Sequence, residues 1–188
     1  MSYPVALEVD YVDRRSRLTT FFRLLLVIPV AIVGYVYIIG LGLVTIAAWF
    51  VLLFTGRWPL GMYNFSAGAL RFLARLNAYI FLAVDPYPPF GLAPDDAYPA
   101  RLIVDGPLPS YSRLKVFFRV IYIIPAYIAA YVLAILAFLV GIASWIVIVV
   151  TGRQPEGLQN AIVFCLTYSI RVYALMYLLT ETYPPFTP

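Results

Sequence analysis

Residues 24–54 read LLLVIPVAIVGYVYIIGLGLVTIAAWFVLLF, 31 residues without a charged side chain. About 20 apolar residues cross the hydrocarbon core of a bilayer, and about 18 already make a candidate span. The run follows Glu8, Asp10 and Asp13 and far exceeds the roughly 7–15-residue apolar region of a secretory leader. An uncleaved, membrane-embedded segment is expected.

The stretch has a counterpart in Val120 to Gly152, 33 residues that are again free of charge. The flanking motifs also return. Ser16-Arg17-Leu18 recurs as Ser112-Arg113-Leu114, Phe21-Phe22-Arg23 as Phe117-Phe118-Arg119, and Tyr87-Pro88-Pro89-Phe90 as Tyr183-Pro184-Pro185-Phe186. From Ser16 to Phe90 the offset is a constant 96 residues, with 32 of 75 positions identical. A repeat this long implies two copies of one folding unit, 1–94 and 95–188.

Composition agrees with a lipid environment. Apolar residues make up 63% of the chain and charged residues 12%, about half the usual charged share of a soluble domain. The chain has no histidine and one cysteine, Cys165. The commonest metal ligand and the usual general base are therefore missing, and no cofactor is expected. The net charge of +4 comes from scattered residues, with no basic helix or aromatic RNA-binding signature, so no nucleic-acid partner is expected.

Each repeat opens with an alternating stretch, Val5, Leu7 and Val9 in the first and Ala100, Leu102 and Val104 in the second. Period two predicts a half-buried strand outside the membrane. These strands are free to pair with each other or with a neighbouring subunit. Ser16 and Ser112 stand where helix N-caps belong. Pro29 and Pro125 predict kinks, with spans from about Val30 to Phe54 and Ala126 to Val150. Gly56 and Gly152 are placed to end these helices in the left-handed conformation, and Pro59 and Pro155 to open the next ones. Second helices are predicted over Leu60–Val84 and Glu156–Thr180, about 37 Å each.

The reading is an all-α integral membrane protein of two tandem parallel repeats. Each holds a short extramembrane strand, a kinked long helix and a second helix, giving four transmembrane helices. Two crossings per repeat put both termini and the linker on one side. Eight Lys and Arg residues there, against Arg57 and Arg153 in the opposite turns, make that side cytoplasmic under the positive-inside rule. The chain would then be a multi-pass protein of the cytoplasmic membrane.

These motifs resemble a widespread bacterial membrane family known only as a domain of unknown function. Its pattern is a Tyr-Pro strand, an Arg-Leu…Phe-Phe-Arg helix start, Trp before Thr-Gly-Arg-x-Pro, an Arg in the second helix and a terminal Tyr-Pro-Pro-Phe. Both halves match, with Trp49 and Trp145 before the turns and Arg75 and Arg171 in the second helices. The resemblance implies a fold and no activity.

Candidate contacts lie on the second helices. Asn64, Arg71 and Arg75 fall on one helical face, and Asn160, Thr167 and Arg171 repeat the stripe. A charge in a span usually faces the bundle interior and marks a function. One reading gives these arginines a lipid phosphate or other anion. The other gives them backbone carbonyls, a snorkelling path to the surface, or second helices that lie obliquely in the interface. Arg23, Arg119, Tyr87, Phe90, Tyr183 and Phe186 read as interfacial anchors.

No catalytic residues are assigned and no enzyme is expected. The first functional expectation is a non-catalytic scaffold or accessory subunit, packed against membrane lipids and a membrane protein partner or further copies of itself. The alternative is a small transporter, channel or lipid-moving protein that uses the Arg/Asn stripes.

Overall fold

The computed structural model describes residues 3–186. The outermost positions of the two repeats, 1–2 and 187–188, lie outside the described residues. The elements run β1 (Val5–Val9), α1 (Arg17–Phe21), α2 (Arg23–Thr55), α3 (Leu60–Ile80), β2 (Ala100–Val104), α4 (Arg113–Phe117), α5 (Arg119–Tyr122), α6 (Ile124–Thr151) and α7 (Glu156–Met176). The two strands pair with each other, antiparallel, with Leu7 opposite Leu102 and Glu8 opposite Arg101. Alternation turns Val5 and Leu102 into the core.

The first helices are interrupted before their prolines. α2 runs through Pro29 without interruption, and the break comes at Phe22, between α1 and α2. A proline clashes with the carbonyl four residues back, here Leu25, only three residues beyond that break. In the second repeat the chain breaks at Phe118 and Ile123, and Pro125 sits in the first turn of α6, where its missing N–H costs nothing. Gly56 and Gly152 end α2 and α6 with φ of 69° and 73°, as their spacing predicts.

The second helices stop four residues early, at Ile80 and Met176. Leu82 and Leu178 both adopt φ of 63°. Ala83 N–H donates to Ala78 O, and Leu179 N–H to Ala174 O, each at 2.9 Å. This is the six-to-one closure of a Schellman stop, with leucine in the place glycine usually takes. Three helices, α2, α6 and α7, are long and apolar enough to cross a membrane, which corrects the expectation of four. Asn64, Arg71, Arg75 and Asn77 lower the hydropathy of α3.

The elements stack in three layers. β2 packs on α3 and β1 on α7, while α2 and α6 pack on α3 and α7 from the other side. Tyr63, Ala67, Leu70 and Ala74 of α3 meet Val5, Leu102, Ile170 and Ala174. A second face of α3, with Ala69, Phe72, Leu73 and Leu76, meets Val30 and Leu41 of α2. α3 and α7 run antiparallel, because Trp58 at the start of α3 bonds Leu178 O at the end of α7. Ala78 and Tyr79 likewise lie with Ile162 and Leu166.

Each repeat completes the other. α1 packs on α6, and α4 on α2. Trp145 Nε1 donates to Thr20 O, and Trp49 Nε1 to Val116 O, both at 3.0 Å. Arg15 N–H donates to Gly152 O at 3.0 Å, and Tyr111 N–H to Gly56 O at 2.8 Å. Each pair of bonds is related by the same 96-residue offset, so the halves obey a pseudo-twofold. Both turns are therefore bonded to the segments that lead into the first helices. Gly56 therefore stands beside Tyr111, the turn of one repeat against the residue that follows the linker. The repeats are antiparallel across the pseudo-twofold.

Candidate functional site

The polar stripes of α3 and α7 open between these helices and the sheet. Arg75 is 2% exposed. Its Nη1 donates to Gly91 O at 3.2 Å and its Nη2 to Ala93 O at 2.6 Å. It thereby holds the linker that follows Tyr87-Pro88-Pro89-Phe90. Gly68, two turns earlier on the same face, lets Leu92 approach: an added Cβ would stand 2.8 Å from Leu92 Cβ and 2.9 Å from its carbonyl oxygen. Close backbone approach is the one reason glycine is required there.

Arg71 lies one turn before Arg75 and is half-buried, and its Nε finds no hydrogen-bond partner among the described residues. With Arg75 and Arg101 it lines a cavity of about 350 Å³, along with Glu8, Asp95 and Asp96. Three guanidinium groups face three carboxyl groups, so the cavity carries no excess of either sign. Asn64 is exposed and lies outside its lining.

In the second repeat, Arg171 Nη1 donates to Pro185 O at 3.3 Å, and the guanidinium lies 5.1 Å from the ring centre of Tyr3. Asn160, Thr167, Tyr168 and Phe186 join it around a separate cavity of about 260 Å³. The two stripes do not share one passage. Arg75 and Arg171 both bond the backbone of a Tyr-Pro-Pro-Phe region or the residues after it, the arrangement in which arginines satisfy carbonyls.

Arg23 and Arg119 are not surface anchors. They are 3% and 4% exposed. Arg23 Nη1 donates to Tyr79 O and Val84 O at 3.0 Å each, its Nη2 meets Asp85 Oδ1 at 2.9 Å, and its guanidinium stacks 4.0 Å above the Tyr79 ring. Arg119 Nη1 donates to Thr180 O at 3.0 Å. Both cations sit at the negative C-terminal end of a second helix, where charge and dipole favour them. Tyr87, Phe90, Tyr183 and Phe186 are exposed. Tyr87 packs edge-on to Tyr79, and Phe186 stacks 4.5 Å from Tyr168.

Sequence reasoning missed the bonds at the inter-repeat seam. Arg15 Nη2 donates to Ala83 O at 2.9 Å and to Gln159 Oε1 at 2.7 Å, and Gln159 Nε2 donates to Asp10 O at 3.0 Å. Burial pushes the Arg15 guanidinium below its ordinary value. On the sheet, Arg101 grips Asp10 with both terminal nitrogens, at 2.9 and 2.6 Å. That bond holds the Asp10 carboxyl below the usual carboxylate range. The one available signal was Gln159, a polar residue in a helix whose repeat partner is Tyr63.

No curated protein and no solved structure matches the chain. One family model matches twice, over 17–91 and 113–187, and these segments are offset by the same 96 residues as the sequence motifs. The chain belongs to the family described as "Domain of unknown function (DUF4389)", of which it carries two tandem copies.

Proposed function

We propose that the chain is a non-catalytic membrane scaffold or accessory subunit, held in lipid by α2 and α6 and presenting its sheet and linker to a partner in water. The carrying observation is how its buried cations are used. Arg15, Arg23, Arg75, Arg119 and Arg171 all donate to backbone carbonyls, so they hold segments together and are not poised for turnover. On the sheet, the exposed carboxyl groups of Glu8 and Asp10 pair with Arg101.

Gentle extraction from native membranes followed by mass spectrometry tests the reading. A stoichiometric protein partner, lost when Glu8 and Asp10 are replaced by lysine, is the expected result. A bare, well-folded protein on which those changes have no effect would count against it. The transporter alternative draws on the cavity beside Arg71 and Arg75. It predicts flux into liposomes that Arg75→Leu with Arg171→Leu abolishes.

A further inference from the structure

A twofold that relates antiparallel elements must run perpendicular to them. β1 pairs antiparallel with β2 about Leu7 and Leu102, and α3 runs antiparallel to α7. The pseudo-twofold therefore passes through the sheet, between α3 and α7, and out between α2 and α6. Its two ends differ in polarity. Glu8, Asp10 and Arg101 lie on the sheet at one end. At the other end, α2 buries only a narrow stripe that includes Val30, Gly34, Leu41, Ala48 and Leu52. On the opposite face of the same helix, Ile32, Leu43 and Phe50 are 62%, 65% and 52% exposed. Leu24 and Phe54, near its two ends, are 82% and 77% exposed, so the apolar surface runs its full length.

We propose that this axis is the membrane normal, and that α2 and α6 lie flat within one leaflet instead of crossing the bilayer. The occupant of the α2/α6 face is then the acyl layer of that leaflet. α3 and α7 lie at headgroup level, and the sheet, the linker and both turns stand in water on one side. The inference rests on the membrane residence proposed above and replaces its crossings.

Three observations favour this orientation. The 33 residues of α2 extend about 50 Å against a hydrocarbon core of about 30 Å, whereas one layer of helices about 10 Å thick fits half of that core. An upright bundle would set the sheet, which covers the middle of α3 and α7, at mid-depth, with Glu8, Asp10 and Arg101 in hydrocarbon. Finally, the bond between Gly56 and Tyr111 keeps turn and linker on one side, as the flat arrangement requires.

Site-directed labelling decides between the orientations. In a Cys165→Ser background, Arg57→Cys, Arg153→Cys and Asp96→Cys are each probed with a membrane-impermeant maleimide in sealed vesicles of both orientations. All three substitutions lie at exposed positions. The flat protein labels at all three from the same face, with at least a tenfold preference. An upright protein labels Arg57→Cys and Arg153→Cys from opposite faces, because the pseudo-twofold puts the two turns at opposite ends. A pair of crossing hairpins labels both turns from the face opposite Asp96→Cys. Either result overturns the proposal.

Fluorophores at Ile32→Cys, Leu43→Cys and Phe50→Cys give an independent reading. Depth-graded lipid quenchers should find all three at one depth, whereas an upright helix spreads them over about 27 Å. Quenchers that reach none of them, together with cross-links between copies, would make a second chain the occupant and also overturn the proposal. Release of the unmodified protein by alkaline carbonate would remove the membrane reading itself, an outcome distinct from all of these.

Discussion

The backbone N–H of Tyr111 lies 2.8 Å from the carbonyl oxygen of Gly56, joining the linker of one repeat to the turn of the other. The equivalent residues of the opposite repeats, Arg15 and Gly152, meet the same relation at 3.0 Å. The two halves are therefore joined by the same contacts made twice, and variants at the seam should act in matched pairs.

Trp49→Phe and Trp145→Phe each remove one indole bond to a carbonyl across the seam, to Val116 and Thr20. Each should cost about 1 kcal/mol, the ordinary net value of a hydrogen bond. The sites are far apart, so the double variant should cost about the sum. Thermal unfolding in a single detergent measures all three, and a cost confined to one site would contradict the symmetry.

Leu178 offers a contest between two terms. Its φ of 63° favours glycine, which would relieve about 1 kcal/mol of left-handed strain. The side chain is also 1% exposed, and deleting a buried leucine costs about 2–5 kcal/mol. Burial wins, so Leu178→Gly should lower the unfolding midpoint. Gly152→Ala, with φ of 73° and no side chain to lose, should cost only about 1–2 kcal/mol.

Gly68→Ala should free the linker without unfolding the helices. The added methyl meets Leu92 through both its side chain and its backbone, and the backbone cannot rotate away. The bonds from Arg75 to Gly91 and Ala93 should loosen with it. Limited proteolysis should then cut within residues 91–96 faster than in the unaltered protein, with helical circular dichroism retained. Arg75→Leu should give the same cleavage by a different route, at a cost of about 2 kcal/mol for lost charge-assisted bonds.

Acid should loosen the sheet. The Asp10 carboxyl is held below its ordinary range by Arg101. A depressed folded pKa stabilises above the unfolded value of about 3.9, and that contribution is lost as pH falls through the folded value. Stability should accordingly decline below about pH 4, and Asp10→Asn should flatten that limb while leaving the neutral plateau slightly lower. A decline on raising the pH would have the wrong sign.

Much of this architecture was legible in local sequence signals, and the failures share one cause. Gly56, Gly152, Ser16 and the alternating strands act within a few residues of themselves, so their roles could be assigned directly. Leu82 and Leu178 carry no local sign of a left-handed stop; tertiary burial imposes it. Arg23 looked like an anchor because its partners, Tyr79 O and Val84 O, lie 56 and 61 residues away. Counting crossings treats each hairpin as complete, whereas here each first helix finds part of its packing in the other repeat. Arg75 fared better, since its partners follow only 16 and 18 residues later.

The exchange of α1 and α4 between repeats has a consequence for assembly. One copy of the family unit, taken alone, would leave Trp49 or Trp145 without its carbonyl and one turn without its N–H partner. Two separate copies could meet those needs only by encounter in the membrane, at whatever concentration the cell supplies. Carrying both on one chain makes that encounter intramolecular, at an effective concentration set by the linker. The linker in this sense is a dimerisation device, and two half-chains cut between Asp95 and Asp96 should reassemble when made together and fail when made alone.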